Sequence, residues 1–108
     1  MGKIIYNKLV RDRIPEIIAS HGKTCEISIA DEQEYRSLLL KKLQEETAEL
    51  AAGDNLTEEL ADIYEVLGAI VTAYSLSPEE ITRLQTEKRS KRGAFAERIK
   101  LLWVDDPD

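Results

Sequence analysis

Two adjacent segments with helical periodicity constrain the fold of this chain more than any other feature. Residues 32–52 and 57–74 repeat apolar side chains every three or four positions, as amphipathic helices do. Gly53-Asp54-Asn55 separates them, and a glycine followed by short polar residues is a typical helix stop. Helices joined by so short a connection pack as antiparallel neighbours. The pattern therefore predicts a helical hairpin at the centre of an all-α protein.

A further helix is predicted on each side of this hairpin. The first covers residues 8–20, where Pro15 limits or bends it and Gly22 ends it. The last begins after Ser77, because serine is a good N-cap and the following Pro-Glu-Glu suits a first helical turn. It is expected to end near Gly93. The sequence thus predicts a four-helix bundle.

The remaining local signals concern helix caps and two extended segments. Asp31 and Thr57 are the expected N-caps of the two central helices. Residues 25–30 alternate polar and apolar side chains, and residues 98–104 are mostly apolar, so they are candidates for a short two-stranded β pairing. No repeat or linker interrupts the chain, and a single domain over residues 1–108 is expected.

Composition restricts the compartment and the partners. The formal net charge is -6, which argues against binding a nucleic acid polymer, since that needs a basic surface. The chain contains no membrane-length apolar segment and one cysteine, Cys25, so a cytoplasmic location without membrane association is expected.

Phe95 and Trp103 are expected to anchor packing. A chain this short buries a modest core, and a homodimer or higher homo-oligomer is predicted.

Acidic side chains interrupt the apolar stripes of both central helices. At 100° per residue, Glu46 falls in the stripe that contains Leu43, and Glu59 falls within the wider apolar face of the next helix. Glu49 and Asp62 follow three residues later, at the borders of these faces. An ionised carboxylate on a core-facing stripe must be paired, protonated or bound to a metal.

Antiparallel packing of the two helices would bring Glu46, Glu49, Glu59 and Asp62 together. A set of oxygen ligands without nearby cysteine or histidine suits a hard cation, with magnesium as first choice and manganese as second. The alternative is that these acids only coat solvated helix faces, as runs of charge commonly do. The sequence therefore predicts a candidate magnesium site.

The acidic motif and two flanking segments resemble a known superfamily. Glu45-Glu46-x-x-Glu49 followed by Glu59-x-x-Asp62 matches the ExxE…ExxD signature of the all-α nucleotide pyrophosphohydrolases. The opening YNKLVRDRIPEII and the closing KRSKRGAFAERI are similar to a MazG-related branch described as house-cleaning hydrolases, so the resemblance covers nearly the whole chain. It implies magnesium bound by Glu46, Glu49, Glu59 and Asp62. It also implies attack of water at the α-phosphorus of a nucleoside triphosphate, non-standard nucleotides included, giving a monophosphate and pyrophosphate.

The resemblance also suggests catalytic and substrate-binding residues. The predicted catalytic set is Glu45, Glu46 and Glu49, and the residue that orients or deprotonates the water is left open between Glu45 and Glu49. Basic side chains of the flanking segments are predicted to hold the β- and γ-phosphates. They are Lys8, Arg11, Lys88, Arg92 and Arg98. The alternative for each is solvated surface or a salt bridge to one of the many acids.

Two other functions are compatible with the sequence. One is phosphoribosyl-ATP pyrophosphohydrolysis on the same fold, although the flanking segments resemble those enzymes less. The other is a non-enzymatic, acidic helical module that binds a partner. A binding module of that kind would leave its melting temperature unchanged by magnesium and nucleotide, whereas a ligand of the native state raises it.

Overall fold

A computed structural model describes residues 2–107 of the chain as an all-α protein. Its four helices are α1 (Ile14–Ser20), α2 (Glu32–Ala52), α3 (Leu56–Ala73) and α4 (Pro78–Arg92). The predicted all-α class with four helices is confirmed.

The described chain forms two compact units, one over Met1–Leu76 with α1 to α3 and one over Ser77–Asp108 with α4. The single domain over residues 1–108 stays a prediction. No single helix within residues 2–107 combines the length and the apolar character needed to cross a membrane.

Side-chain caps fix where three of the helices begin. The Asp31 carboxylate accepts a hydrogen bond from the Glu34 amide at 2.8 Å, and the Ser77 hydroxyl accepts one from the Glu80 amide at 3.1 Å. Both caps agree with the predicted ones. The predicted cap Thr57 is wrong, because the side chain of Asn55 accepts from the amide three residues on and α3 begins at Leu56.

Helix α1 is shorter than the predicted span of residues 8–20. It begins at Ile14, so Pro15 lies in its first turn. A proline in a helix interior clashes with the carbonyl four residues earlier and lacks an amide donor, whereas the first turn tolerates it. The residues before Ile14 are therefore free to follow a non-helical path. Gly22, with φ +74, follows the C-cap of α1 as predicted.

The predicted β pairing is wrong, since neither residues 25–30 nor residues 98–104 form a strand. Alternating side chains favour an extended backbone, but a strand also needs a hydrogen-bonded neighbour, which a local pattern does not supply. The apolar side chains of both segments are exposed, Ile29 by 88% and Trp103 by 77%. Phe95 is 95% exposed. The prediction that Phe95 and Trp103 anchor packing is therefore also wrong within a single copy of the chain.

The helices α2 and α3 pack against each other as the predicted hairpin. Its buried apolar residues are Leu39 on α2 and Ile63 and Val66 on α3. Leu60 and Leu67, which belong to the predicted apolar face of α3, are 42% and 43% exposed. The face of α3 that meets α2 is therefore narrower than the predicted apolar face and includes Ile63 and Val66.

Arg36 joins the first turns of α2 to the end of α3. Its Nε donates a hydrogen bond to the Ala73 carbonyl at 2.9 Å, and its guanidinium lies 5.3 Å from the centre of the Tyr74 ring. The first contact satisfies a carbonyl at the helix terminus that lacks an intrahelical partner. Arg36 therefore holds the hairpin together at the end opposite its connecting turn.

Replacing Arg36 with alanine is expected to lower the free energy of unfolding by about 1–2 kcal/mol, the sum of one hydrogen bond and one cation–π contact. The matched control is Arg13→Ala, since Arg13 bonds only Glu16 in the same segment and its side chain is 80% exposed. That substitution should leave the free energy of unfolding close to the wild-type value, because exposed ion pairs contribute little. Urea unfolding of both variants compares them, and equal losses would contradict the role assigned to Arg36.

Candidate metal centre

Three acidic side chains from the hairpin meet at one point. One carboxylate oxygen from each of Glu46, Glu49 and Glu59 lies within 4.8 Å of the other two. Glu46 and Glu49 are neighbours on α2 because they are three residues apart, and Glu59 lies in the first turn of α3. The antiparallel hairpin thus assembles three of the four predicted ligands within one chain.

Two carboxylate oxygens of this cluster are buried and have no hydrogen-bond partner among residues 2–107. They are Oε2 of Glu46 and Oε2 of Glu59, and Glu46 as a whole is only 6% exposed. Leaving a buried acceptor unsatisfied costs about 1–3 kcal/mol, and more for a charged group. Native proteins therefore rarely bury such atoms without a functional reason.

The donor set fits a small hard cation. All donors are carboxylate oxygens, which magnesium and manganese prefer. Oxygens that share a magnesium ion at about 2.0–2.1 Å lie at most about 4.2 Å apart. The cluster, whose oxygens fall within 4.8 Å, needs only a small contraction of flexible side chains to reach this geometry. A divalent cation would also satisfy the two unpartnered oxygens.

The metal-free cluster concentrates negative charge. Burial raises the pKa of Glu46 above its ordinary value of 4.5, and the charges of Glu49 and Asp62 raise it further. Lys42 opposes both effects, since its Nζ lies 3.4 Å from Oε1 of Glu46. The raised pKa shows that this single ammonium does not offset the cost of ionising a buried carboxyl.

Glu46 therefore gives metal-free stability a specific pH dependence. Its raised pKa means that the folded protein holds this proton more tightly than the unfolded chain does. The contribution of Glu46 to stability should be unaffected below pH 4.5, fall as the pH rises through the raised pKa, and stay low above it. Melting temperatures of the wild type and Glu46→Gln in chelator should converge below pH 4.5, with the variant slightly higher at neutral pH. A variant that melts lower at neutral pH would contradict this.

The fourth predicted ligand, Asp62, lies outside the 4.8 Å group. Its Oδ1 accepts a hydrogen bond from Nη2 of Arg11 at 2.8 Å. Its charge still acts on Glu46, so it lies near the cluster. The role of Asp62 as a ligand stays a prediction. It would require the carboxylate either to turn away from Arg11 or to bind Arg11 and the cation at the same time.

Glu45 is held by two lysines beside the cluster. Lys8 Nζ donates to its Oε1 at 2.9 Å, and Lys42 Nζ lies 3.5 Å from the same oxygen. The hydrogen bond from Lys8 is the largest cause that lowers the pKa of Glu45, and the same contact raises the pKa of Lys8. Glu45 thus stays ionised at neutral pH, but its lowered pKa also makes it a weaker proton acceptor than an ordinary glutamate.

The N-terminal segment brings two predicted substrate-binding residues to this site. Lys8 bonds Glu45 of α2 and Arg11 bonds Asp62 of α3, so the segment contacts both helices of the hairpin. Both residues form the salt bridges that the sequence left as the alternative to phosphate binding. The two roles are compatible, because a phosphate offers the same charge-assisted partner as a carboxylate.

The other predicted substrate-binding residues lie in the second unit. Lys88 and Arg92 are one turn apart on α4, and Arg92 is its last residue. Arg98 follows the helix with φ +60. All three side chains are exposed, and phosphate binding by them stays a prediction.

Sequence reasoning missed two residues of the site. Lys42 precedes Glu45 and Glu46 by three and four positions, which is the spacing of helical ion pairs, and this signal was present in the sequence. The second residue is Gly53, which the sequence predicts only as part of a helix stop. A Cβ atom at this position would lie 2.7 Å from the Glu49 carbonyl oxygen and 3.5 Å from Cγ of Glu59, so the glycine permits the turn to pass close to both acids.

Comparisons with known proteins give a match to part of the chain. A segment of 47 residues is 51% identical to a protein of Mycolicibacterium smegmatis that is described only as an uncharacterized protein. The match covers 44% of this chain and 48% of that protein, so the chain spans about half the length of this curated relative. No family model matches the chain. No solved structure matches it either.

Proposed function

We propose that this protein is a magnesium-dependent hydrolase that cleaves nucleoside triphosphates at the α-phosphorus, giving a nucleoside monophosphate and pyrophosphate. The observation that carries the proposal is the cluster of Glu46, Glu49 and Glu59, in which two buried carboxylate oxygens lack a hydrogen-bond partner. The ExxE…ExxD motif, which resembles that of the all-α nucleotide pyrophosphohydrolases, supports it. The proposed location is the cytoplasm, in keeping with the single cysteine, Cys25.

The cluster would bind the cation that neutralises the substrate. Glu46, Glu49 and Glu59 would hold magnesium, with Asp62 as the proposed fourth ligand. When bound, magnesium supplies Lewis acidity and a template for substrate and water. An acidic chain can accept a triphosphate in this way, because the charge of the ion reverses the local field.

The acids of α2 would supply the proton acceptor for hydrolysis. The oxygen of a water molecule forms a bond to the α-phosphorus, and the bond to the oxygen that bridges to the β-phosphorus breaks in line with it. The electron pair of that bond leaves with pyrophosphate. Glu45 or Glu49 would orient the water and accept its proton. Lys8 and Arg11 lie close enough to the cluster to counter charge on the phosphates.

Pyrophosphate release from a panel of ribonucleoside and deoxyribonucleoside triphosphates, non-standard bases included, tests the proposal. We expect magnesium-dependent release from at least one of them, with the monophosphate as the second product. Phosphoribosyl-ATP belongs in the same assay, and a marked preference for it would favour the histidine-pathway reaction. No release from any substrate, together with a melting temperature that magnesium and nucleotide leave unchanged, would favour the non-enzymatic binding module.

We also propose that the chain acts as a homodimer or a higher homo-oligomer. Within residues 2–107 the buried apolar residues are Leu39, Ile63 and Val66, whereas Leu60 and Leu67 on α3 are 42% and 43% exposed. A core this small gives little stability to a domain of this length. A second copy of the chain that covers the outer leucines of α3 would add apolar burial of about 25 cal/mol per Å².

Sedimentation velocity at micromolar concentration checks this assembly. We expect the mass of two or more chains. A monomer that retains full pyrophosphohydrolase activity at the same concentration would contradict the proposed oligomer.

A further inference from the structure

A cavity of about 240 Å³ lies between the N-terminal segment and α2. Its lining includes three lysines, Lys8, Lys41 and Lys42, and one acid, Glu45. The lining thus carries an excess of positive charge in a chain whose formal net charge is -6. A concentration of ammonium groups around a cavity attracts an anion more strongly than the same groups do on an open surface.

The three lysines differ in whether a carboxylate of the same chain already pairs with them. Lys8 and Lys42 share the Glu45 carboxylate, and Lys42 also lies 3.4 Å from Oε1 of Glu46. Lys41 forms no ion pair with any residue in the part of the chain that the structure describes, although its side chain lines the same cavity. Carboxylates of the same chain pair with Lys8 and Lys42, whereas within residues 2–107 no carboxylate pairs with Lys41.

Lys42 connects the cavity to the metal centre. It lines the cavity and lies 3.4 Å from Oε1 of Glu46, the buried member of the cluster. An anion in the cavity would therefore lie next to a cation held by the cluster. Because a nucleoside triphosphate carries its β- and γ-phosphates directly beyond the α-phosphorus, this arrangement matches the order of groups along the substrate.

The size of the cavity restricts what it can hold. Pockets for drug-sized ligands have volumes of about 300–1,000 Å³, and 240 Å³ is below that range. A whole nucleotide would not fit, whereas a chain of one or two phosphate groups would. The apolar side chains Leu9 and Leu38 contribute to the lining and limit the number of waters that compete with the anion.

We propose that this cavity is a polyphosphate subsite, in which Lys41 and Lys42 join Lys8 in binding the β- and γ-phosphates of the substrate and the pyrophosphate product. The inference rests on the proposed function for the identity of the anion. Phosphate oxygens replace Glu45 as partners of Lys8 and Lys42, and Lys41 gains its ion pair only when the anion is bound. The specificity for a phosphate chain then comes from α2 itself, one turn before the catalytic acids.

Isothermal titration of the full chain with inorganic pyrophosphate and inorganic triphosphate, with and without magnesium, tests the subsite directly. We expect Lys41→Gln to weaken binding of both anions by about ten- to hundredfold, as expected for loss of one charge-assisted hydrogen bond. Lys42→Gln should have an effect of similar size, and Lys41→Arg should bind nearly as well as the wild type. Lys23→Gln, which removes an exposed lysine at the end of α1, should bind as the wild type does.

Kinetics of the same variants separate this inference from the proposed function. Lys41→Gln is at an exposed position and should keep the wild-type melting temperature while KM for the best triphosphate rises about ten- to hundredfold. Wild-type hydrolysis with unchanged anion binding and unchanged KM in Lys41→Gln and Lys42→Gln would overturn the subsite and leave the proposed function intact. Lysine-dependent anion binding without hydrolysis of any triphosphate would support the anion site and overturn the proposed function.

Discussion

Glu46→Gln and Glu59→Gln should each lower magnesium-dependent pyrophosphate release by at least about 100-fold while the protein stays folded. Each substitution keeps the shape of the side chain but removes the charge of one cluster ligand, including a buried oxygen that has no hydrogen-bond partner. A metal ion that acts as a Lewis acid stabilises the transition state by several kcal/mol, and about 1.4 kcal/mol corresponds to a factor of ten in rate. Initial rates at saturating magnesium, with circular dichroism to check the helices, measure the effect.

Glu58→Gln is the matched control for this experiment. Glu58 precedes Glu59 in the first turn of α3, but its side chain is exposed and lies outside the cluster. We expect its turnover to stay within about twofold of the wild type, since surface substitutions of this kind change free energies by about 0.5 kcal/mol or less. Near wild-type turnover of Glu46→Gln or Glu59→Gln would remove the cluster from the mechanism. An equal loss in Glu58→Gln would show that the effect is not specific to it.

Gly53→Ala should destabilise the protein and weaken its response to magnesium together. The added Cβ would lie 2.7 Å from the carbonyl oxygen of Glu49, so the turn between α2 and α3 must shift. Such overpacking costs about 1–3 kcal/mol. The same shift moves Glu59, whose Cγ and Oε1 lie 3.5 Å from that position. We therefore expect a lower melting temperature and a smaller rise of that temperature when magnesium is added.

Gly68→Ala is a control in which the melting temperature is expected to rise instead of fall. Gly68 is an interior residue of α3, and among residues 2–107 a Cβ there would meet no atom within 4 Å apart from its chain neighbours and the backbone of its own helix. Alanine is more stable than glycine inside a helix by about 0.5–1 kcal/mol, so this variant should melt higher and respond to magnesium as the wild type does. A higher melting temperature and an unchanged magnesium response in Gly53→Ala would contradict this prediction. They would show that the turn accepts a Cβ despite its close approach to Glu49.

Features with short-range causes were the ones that the sequence predicted well. The caps at Asp31 and Ser77 depend on a side chain and an amide three residues away, and both were predicted. The cap of α3 differs from the predicted Thr57, because Asn55, which the sequence places in the helix stop, accepts the hydrogen bond from the Glu58 amide. The β pairing failed for the opposite reason, since alternation in residues 25–30 records a local preference and a strand needs a distant partner.

In the candidate site, too, the features with short-range causes were predicted and those that depend on distant residues were not. Helical periodicity within each segment predicted that Glu46 and Glu59 face inward, and Glu46 is buried with Glu59 half-buried. The periodicity did not predict which acids the N-terminal cations would meet, because Lys8–Glu45 and Arg11–Asp62 join residues 37 and 51 positions apart. Such pairs depend on tertiary packing, and they cannot be predicted from a single sequence.

Cation binding to the wild type and to Glu46→Gln tests the central claim most directly, because it does not depend on the identity of the substrate. Isothermal titration with magnesium, and with manganese as a second probe, reports the affinity. A cation that binds only the folded protein also raises its stability, by about 2.7 kcal/mol at one hundred times the dissociation constant. We predict saturable binding and a raised melting temperature for the wild type, with both lost in Glu46→Gln. Equal binding by the two proteins, or no binding by the wild type, would contradict the assignment of Glu46, Glu49 and Glu59 as a metal centre.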